Sequence, residues 1–186
     1  SHKDAEADSK SKTPDGKFKN LNGENVSYVH GFHTFALSGN EFSIPCKFSE
    51  FEKAGFTISN DEDKKIKPGE SNGYAYYEED GTYRGTIFIF NTSDKDIVPE
   101  KGIVGGLTLN PGSPVGKNDL KLVGDLGFES QPDDFGQVLG YQLTNYVSMS
   151  NYTSYEWYFE DEGYYTSLQA QYGEDGKPVS YTHLRA

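Results

Sequence analysis

Residues 152–165 read YTSYEWYFEDEGYY, with seven aromatic side chains in fourteen positions and the chain's single tryptophan, Trp157, among them. The stretch is either the inside of a sheet or a platform for a ligand, and its period decides between them. Successive residues of a strand point to opposite faces. Tyr155, Trp157 and Phe159 then share one face, and Glu156, Tyr158 and Glu160 the other. The first set is apolar and continuous and is expected in the core. Tyr158, flanked by acids, is expected outside. Beyond the turn EDEG, Leu168 and Ala170 continue the buried face, with Tyr164 and Tyr172 near its ends.

The same chemistry recurs along the chain. EEDG (78–81), EDEG (160–163) and GEDG (173–176) each separate runs that alternate with period two. Acidic residues fold onto their own backbone in tight turns, and Gly accepts positive φ there. Before the first such hairpin, KFSEFEKAGF (47–56) places Phe48, Phe51 and Ala54 at helical spacing, with Ser49 as the expected N-cap and Gly55 as the stop. Before the second, Phe135, Val138 and Leu139 form an i, i+3, i+4 stripe, with Asp133 and Asp134 at the positive end of that helix. The expected fold is therefore α+β: two tandem repeats of a short helix followed by an antiparallel β-meander. The expected bounds are a flexible tether over 1–24, a first repeat over 25–110, a Pro/Gly linker over 111–118 and a second repeat over 119–186. Residues 60–72, NDEDKKIKPGESN, are expected as a charged loop, and the polar stretch from 145 as Tyr-rich loop.

The totals exclude several classes. The 186 residues carry a net charge of −12, with a pI of about 4.7. Such a surface repels phosphate backbones and anionic lipids, so neither nucleic acid nor a membrane surface is an expected partner. No run of 18 apolar residues is present, so no membrane span is expected. One cysteine, Cys46, leaves no internal disulfide. The chain opens at Ser1 on a tether of the composition that follows the lipid-bearing Cys of exported lipoproteins, so an upstream lipid anchor is expected.

The stretches FALSGNEFSIPCKFSEFEKAGF, LGFESQPDDFGQVLGY and YEWYFEDEGYYTSLQAQYGEDGK resemble a group of secreted proteins and lipoproteins from Gram-positive gut bacteria. The helix-then-meander unit is also similar to the repeats of β-lactamase inhibitor protein and of SmpA/OmlA outer-membrane assembly lipoproteins. The resemblance spans about residues 35–178 and rests on turn and core positions. It implies a scaffold able to bind proteins and an extracellular or cell-surface anchored bacterial location, and it implies no activity. At the C-terminus, VSYTHLRA (179–186) resembles translated sequencing adapter, which places the end of native sequence near Val179. These residues are therefore kept out of any site.

Catalytic chemistry finds little support. There is no GxSxG. His30 and His33 are three apart in a strand-like run and face opposite ways, which disfavours a metal pair. Cys46 precedes a helix where a small thiol packs well. Most carboxylates sit in Gly turns or charge runs, where water keeps them ionised. In DEDKKIKPGE, Lys65 stands where a calcium ligand belongs, and no Gly follows it at the next place. The sequons at Asn25, Asn91 and Asn151 matter only in a eukaryotic secretory pathway. No cofactor, metal site or enzymatic activity is expected. The expected function is an extracytoplasmic binding module for a protein or cell-envelope component, with a glycan-binding module as the alternative and a hydrolase behind both. Tyr146, Tyr152, Tyr158 and Tyr165 lie beside Ser and Asn, a composition suited to adaptable recognition, and are the candidate contact residues.

Overall fold

Period-two alternation dominates the chain after Thr34, and strands follow from it. The computed structural model describes residues 17–19, 25–27, 33–110, 120–127, 130–139, 144–148, 150–161 and 164–185. The first elements are β1 (Lys17–Lys19), β2 (Asn25–Ser27), β3 (Thr34–Leu37), β4 (Asn40–Ser43), β5 (Cys46–Lys47) and α1 (Phe48–Lys53). Next come β6 (Thr57–Ile58), β7 (Ser71–Tyr77), β8 (Tyr83–Phe90) and β9 (Ile103–Leu109). The remainder are β10 (Leu120–Lys121), α2 (Pro132–Leu139), β11 (Thr144–Ser148), β12 (Tyr152–Asp161), β13 (Tyr164–Gly173) and β14 (Pro178–Arg185). This is a mixed α+β fold with few, short helices and one large antiparallel sheet. The linker 111–118 and most of the tether lie outside the described residues; within the tether, Lys17–Lys19 pairs with Asn25–Ser27.

The large sheet has nine strands in the order β11-β12-β13-β14-β9-β8-β7-β6, with β5 pairing β9 off that path. Each run of consecutive strands is a meander, and the last strands of the two runs, β9 and β14, pair with each other. A three-stranded sheet, β10-β3-β4, is separate. Alternation sorts the large sheet's faces sharply. Tyr74, Tyr76, Ile87, Ile89, Val104, Leu107, Leu109, Leu168, Ala170, Tyr172 and Tyr181 are buried on one face, in one core with Phe35, Leu37, Phe48, Phe51 and Phe135.

Each helix brings phenylalanine under the sheet, two from α1 and one from α2. In α1, Phe48 and Phe51 are buried, and Phe51 stacks on Phe42 with ring centroids 3.9 Å apart. The helix does not use the expected Ser49 cap. It starts two residues earlier than that cap implies, at Phe48, with Lys47 as an extended N-cap that makes no side-chain cap bond. Burying Phe48 in the first turn fixes that start. The expected stop holds: Gly55 has φ 91° and donates to the Glu52 carbonyl (2.9 Å), while Phe56 N–H donates to the Phe51 carbonyl (3.0 Å). These two bonds form a Schellman cap, and the accompanying apolar contact is Phe51 edge-on to Phe56 at 5.8 Å. In α2, the Asp134 carboxylate accepts the Gln131 amide (2.7 Å) and so closes the first turn. Phe135 is fully buried and stacks on Trp157 at 4.9 Å.

Two hairpin turns share one bonding pattern. Glu78 N–H donates to the Thr82 carbonyl, Gly81 N–H to the Glu78 carbonyl, and Thr82 N–H to the Asp80 carboxylate, all at 2.9 Å. Gly173, Gly176, Lys177 and Asp175 repeat this at 2.9, 3.0 and 3.0 Å. Gly81 and Gly176 both sit at positive φ, 87° and 74°. The EDEG turn falls partly on residues that are not described.

The charged loop 60–72 is less free than its sequence suggests. Ile66 is buried and bridges Ile97, with N–O distances of 2.8 and 3.0 Å. Asn91, 1% exposed, anchors it. Its amide nitrogen donates to the carbonyls of Ile66 (2.8 Å) and Lys95 (2.6 Å), and its amide oxygen accepts from Ser93 N–H (2.9 Å) and Ser93 Oγ (2.7 Å). All four hydrogen-bonding sites of the side chain are used. Asn91→Ala is expected to lower stability by about 3 kcal/mol, since it removes the four hydrogen bonds of a buried side chain that ties two loops together; equilibrium denaturation in urea checks this. The same geometry closes the Asn91 sequon to modification in the folded state.

Candidate functional site

The face of the large sheet opposite the core is the first candidate. Cross-strand partners share a face, so the register Glu156↔Gln169 and Ser154↔Gln171 sets these residues together on the side away from Leu168 and Ala170. On β7, β8 and β9 the corresponding positions are Ser71, Ala75, Thr86, Phe88, Phe90, Ile103 and Thr108. All of these are half-buried or exposed, while from Ala75 onward their sequence neighbours on the other face are buried. By register the charges on this face are few: Lys47, exposed opposite Ile103, Glu156, and position 160 opposite position 165. In a chain of net charge −12 that is a marked local neutrality. The acids lie instead in the turns. β14 runs between the two halves of this surface, and its adapter-like residues are left out of the site.

The register divides the four candidate tyrosines. Tyr152 pairs with Gly173 and is half-buried. Position 158 pairs with Ser167, and position 165 with Glu160, which places both with Tyr152 on the neutral face. Position 146 pairs with Tyr155, on the face of Trp157. The side chains of Tyr146, Tyr158 and Tyr165 lie outside the described residues. Along β12, Tyr152 is six residues from Tyr158, about 20 Å at 3.3 Å per residue, so the set is spread along the sheet and does not form one cluster. The expected Tyr-rich loop over 145–158 is instead a hairpin of β11 and β12, because Thr, Tyr and Val hold an extended backbone. Gln169, Gln171, Thr86 and Thr108 join this surface without having been singled out. The alternation around Leu168 and Ala170 pointed to the glutamines; nothing local showed which strands would lie beside them.

A second candidate is a cleft of about 390 Å³. The β3–β4 turn (Ser38, Asn40), the end of α1 (Ala54, Phe56) and the β7–β8 turn (Glu78, Glu79, Asp80) line it. Beneath it Arg84, 4% exposed, makes an ion pair with Glu78, and Nη2 also donates to Ser38 Oγ (3.3 Å). The Ser38 and Glu78 side chains are thus bound to a buried guanidinium, and the pair ties two turns together. Asp80 is held below the usual carboxylate range by its bonds from Thr82. The cleft wall holds no His or Cys among the described residues.

The remaining candidates take structural places. Cys46 pairs across to Val104 in β5, packs against the core, and is not part of the cleft. Burial, followed by the nearby Glu50 carboxylate, pushes its thiol up to about 11. At pH 8 about one thiol in a thousand is then thiolate, against about a quarter of free cysteine. Alkylation of Cys46 by iodoacetamide at pH 8 is expected to run about a hundredfold slower than that of free cysteine, and to rise about tenfold per pH unit. His33 immediately precedes β3, and His30 lies outside the described residues. Among the described residues no group of three or more His, Cys, Asp or Glu could hold a metal ion. No helix among them is long and apolar enough to cross a membrane. Buried tyrosine hydroxyls serve as ties: Tyr76 donates to the Thr108 carbonyl (2.9 Å), Tyr172 to Ser130 (2.6 Å) and Tyr181 to Gly127 (3.0 Å). Burial raises the pKa of all three.

Comparison with protein-family models, with curated proteins and with solved structures gives no match.

Proposed function

We propose that the chain is an extracytoplasmic, non-enzymatic binding module that takes a protein or another cell-envelope component on the neutral face of its large sheet. One observation carries this reading. A protein of net charge −12 leaves a wide β-surface on which the register places only Lys47, Glu156 and Glu160 as charges, close to neutral in sum. Acidic proteins repel one another and repel anionic envelope polymers, so a neutral surface is where contact costs least. Tyr152 and the register positions of Tyr158 and Tyr165 add aromatic area at low entropy cost. The reading as tandem repeats belongs with it. Each helix precedes four consecutive strands, the two turns described above share their bonding, and Phe51 and Phe135 play like parts. That plan agrees with the resemblance to secreted proteins and lipoproteins of Gram-positive gut bacteria and to inhibitor-like and assembly-lipoprotein repeats, and an upstream lipid anchor would hold such a module at the cell surface.

A carbohydrate-binding module is the second reading. The hydroxyl and amide groups of Gln169, Gln171, Thr86 and Thr108 match a neutral, hydroxyl-rich polymer. A pull-down from envelope extract beside a neutral polysaccharide panel separates the two. The intact protein is compared with Tyr152→Ala/Tyr158→Ala/Tyr165→Ala and with Gln169→Lys. Capture lost in both folded variants supports the face as the site, and the panel that loses it names the ligand class. Capture unchanged in both removes the proposal.

A further inference from the structure

The two ends of the large sheet are built differently. At one end β6 is two residues long and leads into the loop NDEDKKIK, whose charges guard the edge. Short edge strands and charged residues are the usual protection against edge-to-edge pairing. At the other end β11 runs for five residues, Thr144–Ser148, and among the described strands pairs with β12 alone. It has no Pro, Gly or charge. It also lies inside the longest neutral run of the chain, Phe135 to Tyr155, 21 residues without Asp, Glu, Lys or Arg. One residue in four is charged overall, so the run is a strong local exception.

We propose that β11 is a strand-pairing edge and that its partner is β11 of a second copy of this chain, joined antiparallel about a two-fold axis. The second edge of β11 offers backbone N–H and C=O groups that an added strand satisfies. Charge selects the occupant. Symmetric pairing sets each residue of the strand against a residue of the same strand, so any charge would face its own kind and repel. TNYVS brings none. Elsewhere two copies would bring acidic turns together, and the 29 Asp and Glu against 17 Lys and Arg make that costly. Five residues span about 17 Å of ladder, well short of a standard interface of about 800 Å² per partner. The dimer is therefore weak and concentration-dependent. Added salt screens the net repulsion and tightens it. The inference does not depend on the ligand reading of the sheet face.

Sedimentation equilibrium of the whole chain from about 1 µM to about 1 mM tests it. The expected result is a rise from the 20.7 kDa monomer toward twice that mass, at lower concentration when NaCl is raised. Val147→Lys and, independently, Asn145→Lys are expected to weaken association at least about tenfold, while Val147→Thr keeps it. Circular dichroism and Trp157 fluorescence establish that each variant is folded; should one lysine variant unfold, the other carries the test. A monomer throughout the range overturns the proposal, as does a dimer that both folded lysine variants leave intact. Capture of an added extended peptide by β11 with no self-association would name a different occupant and overturn it equally.

Discussion

Replacing Trp157 with alanine is expected to cost about 4 kcal/mol of folding stability, within the range for removing a large buried aromatic. The ring is 1% exposed, stacks on Phe135 at 4.9 Å and lies 6.0 Å from Tyr155. Its removal opens a cavity between β12 and α2 that neither a helix of eight residues nor a hydrogen-bonded strand can close without losing other contacts. Domains of this size hold about 5–15 kcal/mol in total, so the variant should be populated partly unfolded in mild denaturant. Trp157→Phe keeps the stacking and should cost less than half as much. Because the chain has one tryptophan, the readout is urea denaturation followed by circular dichroism. A loss below about 1 kcal/mol would mean that the ring is not in the core.

The second large effect is expected at Gly85. Its φ of 154° and the surrounding backbone both require glycine: an added Cβ would lie 2.4 Å from the Thr108 carbonyl oxygen and 2.9 Å from Thr108 Oγ1. That carbonyl also accepts the buried Tyr76 hydroxyl, and Thr108 Oγ1 accepts the Thr86 amide at 2.9 Å. The close approach is therefore part of how β7, β8 and β9 are pinned together. Gly85→Ala is expected to lower stability by about 3 kcal/mol through strain and displacement of that contact. Gly39→Ala is the control for positive φ alone: Gly39 has φ 83° with nothing within 4 Å of the added Cβ, and should cost about 1 kcal/mol. Thermal melts of the two variants give the comparison.

Much of the architecture could be read from period and punctuation. Trp157, Leu168, Ala170 and Tyr172 are buried as their alternation required, Phe48 and Phe51 lie under the sheet, and Gly55 and the acidic Gly turns stop and reverse the chain where expected. These signals are local, so a single sequence carries them. Ile66 and Asn91 were missed because each depends on a partner far along the chain: an isolated Ile in a charged run becomes core only when it bridges Ile97, and a sequon asparagine becomes an anchor only when two loops converge on it. Arg84 hides for the same reason, its ion pair with Glu78 lying under a turn supplied by Ser38. The site was less legible than the fold. Composition drew attention to the tyrosines, but only strand register shows that position 146 falls on the other face and that glutamines and threonines from distant strands complete the neutral surface.

That two-faced sheet is the central claim, and a four-variant lysine scan tests it directly. Thr86→Lys and Gln169→Lys place charge on the neutral face; Ile87→Lys and Leu168→Lys place it one residue away, in the core. The account predicts that the first two melt cooperatively within about 3 °C of the parent, whereas the last two lose the folded state because a buried unpaired ammonium is not tolerated. Equal damage from Gln169→Lys and Leu168→Lys would contradict it, since both faces of the sheet would then be buried and no surface would remain for a ligand.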